Sequence, residues 1–464
     1  MKSYLKSCFG TRDFYKNLLS VMIPILIQNA ITNFISLLDN VMVGRIGTEQ
    51  MSGVSIVNQL LFVFYLCIFG AISGAGLFGA QFFGKQDHEG VKHTFRFKIY
   101  VSLVLYALAM LLLITKGEGL ISLYLHEGGE TGDLALTLHF AKEYLAISLI
   151  GLLPYTLTQI YASTQREIKH TVPPMTAGLI GVAINLTLNY LLIFGKLGLP
   201  ALGVAGAAIA TVIARFCECI MVIVWTHTNK EKCTFIKGAY RSFYVPASLI
   251  RSITVTGLPL LLNETVWAAG QAVLLQCYSV RGIATVSAMN ITNTVYNTFS
   301  VLFMAVGSAI AILLGHELGA GRTREARDSA RKMITFSIGM GLLCAVLVAL
   351  SAPIFPCIYN PTDEVRALAV RLTLILALVS PLHSYLHAVY FTIRSGGKTL
   401  ITFLFDSGYV WLVNVILAFV LCRFTALPLP LVYLIVHFSD AAKAVMGCAF
   451  VKKGSWATDL TQNN

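Results

Sequence analysis

Apolar stretches of 19 or more residues, bounded by Gly, Pro, Asn or charge clusters, recur twelve times along this chain and leave little else to fold. They lie near 18–41, 54–80, 97–115, 135–160, 173–194, 203–226, 250–276, 284–314, 333–356, 367–390, 400–421 and 428–450. About 20 apolar residues carry a helix across the hydrocarbon of a bilayer, so each stretch reads as a spanning helix, the longer ones tilted. The fold class expected is an all-α integral membrane protein with twelve transmembrane helices. Only 12% of the 464 residues are charged, against about 25% in soluble domains, which excludes a soluble enzyme and a large extramembrane domain.

Charge then fixes the orientation. With the N-terminus placed in the cytoplasm, the inside segments hold 24 of the 34 Lys and Arg residues, the outside segments 7, and the spans Lys142, Arg215 and Lys443. Such a bias, alternating loop by loop, is the positive-inside pattern and puts both termini in the cytoplasm of a cell-membrane protein. The net charge of +12 is therefore topological, and no nucleic acid is expected as a partner. The basic N-terminus before an apolar run lacks a small-residue cleavage site, so the first helix reads as retained. The ten cysteines contain no CxxC pair and read as small buried hydrophobes rather than a metal or disulfide framework.

The chain repeats itself. At an offset of 235, Pro24 falls on Pro259, Gly47 on Gly282, Asn58 on Asn293, Ser73 on Ser308 and Gly84 on Gly319, without a gap over 61 residues. An offset of six helices keeps the same membrane orientation, so the halves form a parallel repeat about an axis along the membrane normal. The expected organisation is an N-lobe of helices 1–6 over 1–226, a cytoplasmic linker over 227–249 and a C-lobe of helices 7–12 over 250–464. Two pseudo-symmetric six-helix lobes around a central cavity suit an alternating-access transporter.

Polar residues inside spans are expensive and mark candidate sites. On the first helix Gln28, Thr32, Ser36 and Asp39 recur at helical spacing, with Pro24 fifteen residues before Asp39 as a point where the helix can kink. Asp39 stands toward the outer end of its helix, where an acid can exchange protons with the outside. Asn185 and Asn189 on the fifth helix are four apart and share a face, and Thr211 follows the small-residue run "GVAGAAIAT" on the sixth. Their amides and hydroxyl can surround a cation or a protonated acid, or serve as interhelical glue. On the seventh helix Glu264, Trp267 and Gln271 share a face, and on the eighth Asn290, Asn293 and Asn297 recur at similar spacing. A buried acid beside an aromatic suits an organic cation. His383 and His387 are four apart on the tenth helix, but no third ligand stands at metal spacing, so no metal is expected. Asp406, Asp440 and Lys443 in the last two helices are candidate partners, and Arg215 and Glu218 can neutralise one another. No GxxxxGK[ST] loop and no hydrolase signature appears, so the chain has no ATPase of its own and is not expected to be an enzyme.

The stretches "IPILIQNAITNFISLLDNVMVGRIG", "PPMTAGLIGVAINLTLNYLLIFGKLGLPALGVAGAAIAT", "GLPLLLNETVW" and "TIRSGGKT" resemble the multidrug and toxic compound extrusion (MATE) transporters. The look is bacterial and closest to the branch named after the DNA-damage-inducible F protein. The resemblance implies a twelve-helix, two-lobe exporter that exchanges H+ or Na+ for amphipathic, often cationic, organic compounds and drugs; a monomer without a cofactor is expected. It further implies an N-lobe cation site at Asp39, Asn185, Asn189 and Thr211. The position of Asn189 is frequently an aspartate in relatives, and the amide here leans the coupling toward H+. Relatives with a C-lobe site pair a seventh-helix acid with a tenth-helix acid, whereas here only Glu264 is present. In the implied cycle a proton neutralises Asp39, the first helix bends near Pro24, and substrate leaves. The alternative is a lipid or lipid-linked oligosaccharide flippase of the same superfamily, for which few basic residues stand in the spans.

Overall fold

The computed structural model describes residues 9–124, 133–359 and 361–462, without the side chains of 32–41, 48, 283, 358 and 359. Among them are twelve helices long and apolar enough to cross a membrane. In chain order they are α1 (Arg12–Gly44), α2 (Thr48–Gly84), α3 (His88–Ser122), α4 (Leu134–Glu167), α5 (Val172–Phe194) and α6 (Gly203–Thr228). The second six are α7 (Ala247–Ser279), α8 (Ile283–Gly319), α9 (Thr323–Ser351), α10 (Asp363–Ser395), α11 (Thr399–Phe424) and α12 (Leu429–Lys453). No strand occurs among the described residues.

Most helices outrun the apolar stretch that announces them, because polar residues extend the helix past the hydrocarbon and are themselves good helix formers. Asp133 caps α4 by accepting from the backbone N–H groups of Ala135 and Leu136 at 2.9 and 3.1 Å. Pro173 and Pro174 stand in the first turn of α5, where no N–H is needed, and Gly195 ends it at φ 64°. The span expected over 333–356 is displaced: α9 starts at Thr323 and ends at Ser351. Its start is carried into the basic loop by the pairs Arg322–Glu325 at 3.1 Å and Lys332–Asp328 at 2.6 Å. Its end is set by Pro353, which lacks a backbone donor and disfavours helix at the residue before it. Within α11, residues Leu404–Gly408 and Val410–Val415 are wound as π-helix, a local widening that sequence periodicity does not signal.

The contacts divide the chain into two compact units. One comprises Ile27–Gly79 and His88–Ile250; the other comprises Met1–Leu26, Ala80–Asp87 and Arg251–Asn464. Helix α1 remains helical through Pro24 and passes from one unit to the other at Leu26, two residues later. In the first unit the segment 227–249 packs on α3 through Arg96 and Phe95. The Arg96 guanidinium donates to the carbonyls of Ala239, Tyr244 and Gly238 at 2.9, 3.1 and 3.1 Å, and Phe95 packs on Phe235 with ring centres 5.0 Å apart.

In the second unit the start of α1 packs through Leu18, Val21, Met22 and Ile25 onto α8, α9 and α10. Here the end of α2 also crosses α8, and the repeat meets itself. A Cβ on Gly319 would collide with the carbonyl of Gln81, and a Cβ on Gly84 with the carbonyl of His316. Gln81 and His316 are themselves 235 residues apart, as are Ala80 and Gly315, whose Cβ positions would stand 2.9 Å from one another. Each copy of the motif thus packs its glycine against the backbone of the other, as a two-fold contact requires. The Gln81 side chain cannot yield: it is fully buried, donates to the Ser395 and Thr458 carbonyls at 3.0 and 3.2 Å, and accepts from the Leu460 N–H at 2.6 Å.

Gly319→Ala is therefore expected to destabilise the protein by about 3 kcal/mol or more, because backbone rather than a flexible side chain stands in the way. Gly339→Ala in α9 has open space within 4 Å and should instead stabilise by about 0.5–1 kcal/mol through helix propensity. Thermal unfolding of the two variants in detergent should give shifts of opposite sign.

Candidate functional site

Polar side chains are buried among the described residues of each unit. In the first unit α5 and α6 approach closely because the facing residues are small. Gly206 lies against the backbone of Leu192, whose carbonyl carbon would stand 2.7 Å from an added Cβ, and Ala207, Ala208 and Ala210 are buried beside it. The approach brings three polar side chains into one ladder. Asn189 Nδ2 donates to Asn185 Oδ1 at 3.2 Å, Asn185 Nδ2 donates to Thr211 Oγ1 at 3.2 Å, and that hydroxyl donates to the Ala207 carbonyl at 3.0 Å. Asn185 and Asn189 are 5% and 1% exposed, so the ladder is a property of the packed interior and not of a wet loop. Asp39 is carried by α1, and its side chain, like those of Thr32 and Ser36, lies outside the described residues. Gln28, earlier on α1, accepts from Arg166 Nη1 at 3.3 Å.

The same unit also holds the ion pairs Arg215–Glu218 and Lys98–Glu167. Arg215 reaches Glu218 at 3.4 Å and lies 5.0 Å over the ring of Tyr155. Lys98, fully buried, lies 2.6 and 2.7 Å from the two oxygens of Glu167.

In the second unit Glu264 is not isolated with an aromatic. Its carboxylate lies 3.9 Å from Arg394 Nη1, and that guanidinium donates to the Tyr390 hydroxyl at 3.3 Å. Asn263 Nδ2 also donates to the Tyr390 hydroxyl, at 3.2 Å, and to Asp406 Oδ2 at 3.1 Å, while Lys443 donates to Asp406 Oδ1 at 3.1 Å. The π-helical stretch of α11 adds Ser407, which donates its hydroxyl to Asn263 Oδ1 at 2.7 Å and its N–H to the same oxygen at 3.3 Å. Four helices, α7, α10, α11 and α12, thus tie their charges into one network.

Trp267 is half-buried against the core of this unit, and Gln271, Asn290 and Asn293 lie at the chain's surface outside the network among the described residues. The two tenth-helix histidines part company. His387 stacks on Phe303 with ring centres 6.0 Å apart, whereas His383 turns to α12, with its ring 5.2 Å from that of His437 and its Nε2 3.6 Å from Asp440 Oδ2. Asn414 Nδ2 holds the other Asp440 oxygen at 3.2 Å. His383, His437 and Asp440 form a group whose ligand atoms lie within 4.8 Å of one another. His437 and Arg394 carry no signal at the spacing of any one helix, although His437 and Asp440 are three apart on α12 and share a face.

A family profile described as MatE matches residues 24–191 and again 259–420, so its two matches begin 235 residues apart, at Pro24 and Pro259. Among curated proteins the chain is 28% identical over 352 residues, 75% of either chain, to "Probable multidrug resistance protein NorM" of Bacillus subtilis (strain 168). It is 27% identical over 435 residues to a protein of the same description from Halalkalibacterium halodurans, covering 91% of this chain and 88% of the relative. Among solved structures, "Outward-facing conformation of a multidrug resistance MATE family transporter of the MOP superfamily" superposes with a TM-score of 0.85 at 16% identity, covering 97% of this chain and 98% of that one.

Proposed function

The chain belongs to the MatE family, and from that premise we propose that this multi-pass membrane transporter exports amphipathic organic cations and drugs by antiport, with H+ preferred over Na+. It works as a monomer with both termini in the cytoplasm. The coupling group is Asp39 on α1, assisted by Asn185, Asn189 and Thr211, and Pro24 is the point at which α1 bends. Glu264, Trp267, Gln271, Asn290 and Asn293 line the C-half of the substrate path.

The observation that carries the choice of ion is the ladder of Asn189, Asn185 and Thr211, which is built of two amides and a hydroxyl and contains no carboxylate. A dehydrated Na+ needs several oxygen ligands to replace its lost hydration, and anionic ones among them favour it over water. A neutral ladder offers dipoles and no second carboxylate, which suits an acid that alternates between charged and protonated forms.

Four basic side chains within the spans support a drug path over a lipid-phosphate path. Lys98, Arg215, Arg394 and Lys443 each stand within 4 Å of a carboxylate, on Glu167, Glu218, Glu264 and Asp406 respectively. A flippase for a phosphorylated lipid needs uncompensated positive charge, and these four residues are already neutralised.

The purified protein in liposomes, followed with a fluorescent organic cation, should accumulate the dye along an imposed pH gradient and ignore a sodium gradient. A response to sodium alone would overturn the ion assignment. Scrambling of labelled lipid without movement of the cation would replace the exporter reading with the flippase.

A further inference from the structure

The His383, His437 and Asp440 cluster is not needed for proton or drug coupling as described above, and its geometry differs from that of an ordinary hydrogen-bonded pair. His383 Nε2 and Asp440 Oδ2 are 3.6 Å apart, beyond a good N–H···O bond. Two ligand atoms sharing a tetrahedral zinc-class ion, with bonds of about 2.0–2.2 Å, stand about 3.4 Å from one another. The pair is thus spaced for an ion between them rather than for a proton.

Three further features fit. His437 Nδ1 is buried and has no hydrogen-bond partner, an arrangement that costs free energy unless something else binds it. Asp440 has one oxygen held by Asn414 Nδ2 at 3.2 Å, which turns the other toward His383, as the outer partners of metal-ligating carboxylates do. Lys443, one turn on along α12, is drawn to Asp406 at 3.1 Å, so its charge is compensated.

We propose that His383, His437 and Asp440 bind a divalent transition-metal ion of the zinc class, clamping α10 to α12. Two imidazoles and one carboxylate select a borderline ion over Na+, Mg2+ or Ca2+, which prefer all-oxygen shells. Three protein ligands leave a further position for water or another ligand, as in open zinc sites. Closing the widest pair of ligand atoms, now within 4.8 Å, onto a common ion takes about an ångström of side-chain rotation. The inference does not rest on the transport reading, since a metal clamp is compatible with any cargo.

The test uses the full-length protein in detergent, stripped with a chelator and titrated with Co2+ while its visible d–d bands are recorded. One Co2+ per chain is expected, displaced by Zn2+ and unaffected by excess Mg2+ or Na+. His437→Ala and Asp440→Asn should each abolish the bands, Asn414→Leu should weaken binding about 10–100-fold, and His387→Ala should bind as the parent does. Acidification should release the ion as the imidazoles protonate. Should His437→Ala fail to elute as a folded monomer, His437→Gln keeps most of the volume and is read in the same way. Absence of Co2+ bands in the parent protein, equal affinity in the His437 and Asp440 variants, or displacement by Mg2+ or Na+ would overturn the proposal.

Discussion

Replacing Lys98 by methionine, with Glu167 left in place, should cost about 3–5 kcal/mol of stability, enough to abolish the folded, monodisperse protein in detergent. The pair joins α3 to α4 in the interior: Lys98 is fully buried and its ammonium also donates to Thr164 Oγ1 and Ser163 Oγ at 3.1 and 3.3 Å. Helix α2 makes room for the carboxylate with glycine, since a Cβ on Gly76 would stand 2.7 Å from Glu167 Oε1 and one on Gly79 would collide with Oε2. Without its lysine the carboxylate keeps its desolvation cost and loses its principal compensation. The double variant Lys98→Met/Glu167→Met removes both charges and should recover most of the loss, because an apolar pair of similar volume is often neutral relative to a buried ion pair. Thermal unfolding followed by size-exclusion fluorescence reads this directly. A double variant as unstable as the sum of the two singles would show that the two charges are not coupled.

What sequence reasoning could reach depends on whether a feature is local to one helix. The twelve spans are legible because each is a continuous apolar run of membrane length, and the end of α9 is misplaced only because "APIFP" is apolar while Pro353 forbids helix. The Asn185 and Asn189 pair is legible from i,i+4 spacing, and Thr211 from the small-residue run that brings α6 close. The repeat is legible at constant offset, and the crossing of Gly84 and Gly319 supplies its physical reason, which no single copy reveals. Of the network around Asp406, the pairing with Lys443 is legible as two opposite charges in the last two spans, whereas its links to Asn263 and Tyr390 are not. The network joins Asn263, Tyr390, Asp406 and Lys443 from four helices, and the π-helical winding of α11 turns Asp406 and Asn414 in a way that a 3.6-residue period does not describe. For the same reason His383 and His387 looked like a pair at i,i+4 spacing, whereas the packing of α12 gives His383 to Asp440 and leaves His387 on Phe303.

Asp39→Asn should reduce gradient-driven accumulation of an organic cation in liposomes to passive equilibration. A proton-motive force of 100 mV supplies about 2.3 kcal/mol per charge, or roughly fifty-fold in concentration, and an amide that cannot take up a proton forfeits all of it. Binding of the cation should weaken as well, because the neutral amide mimics the protonated acid from which substrate leaves. The variant should nevertheless elute and unfold as the parent does, whereas a merely misfolded protein would not. The converse substitution asks why the ion is H+. Asn189 is 1% exposed and donates to Asn185 Oδ1, so Asn189→Asp places a second carboxylate beside an amide oxygen that has just lost its donor. Two acids and a freed carbonyl attract a cation that neither acid attracts alone, and accumulation in this variant should become sensitive to a sodium gradient that the parent ignores. A folded Asn189→Asp protein that remains indifferent to sodium would refute the argument that the missing acid sets the ion, and undiminished accumulation by Asp39→Asn would move the coupling step away from α1.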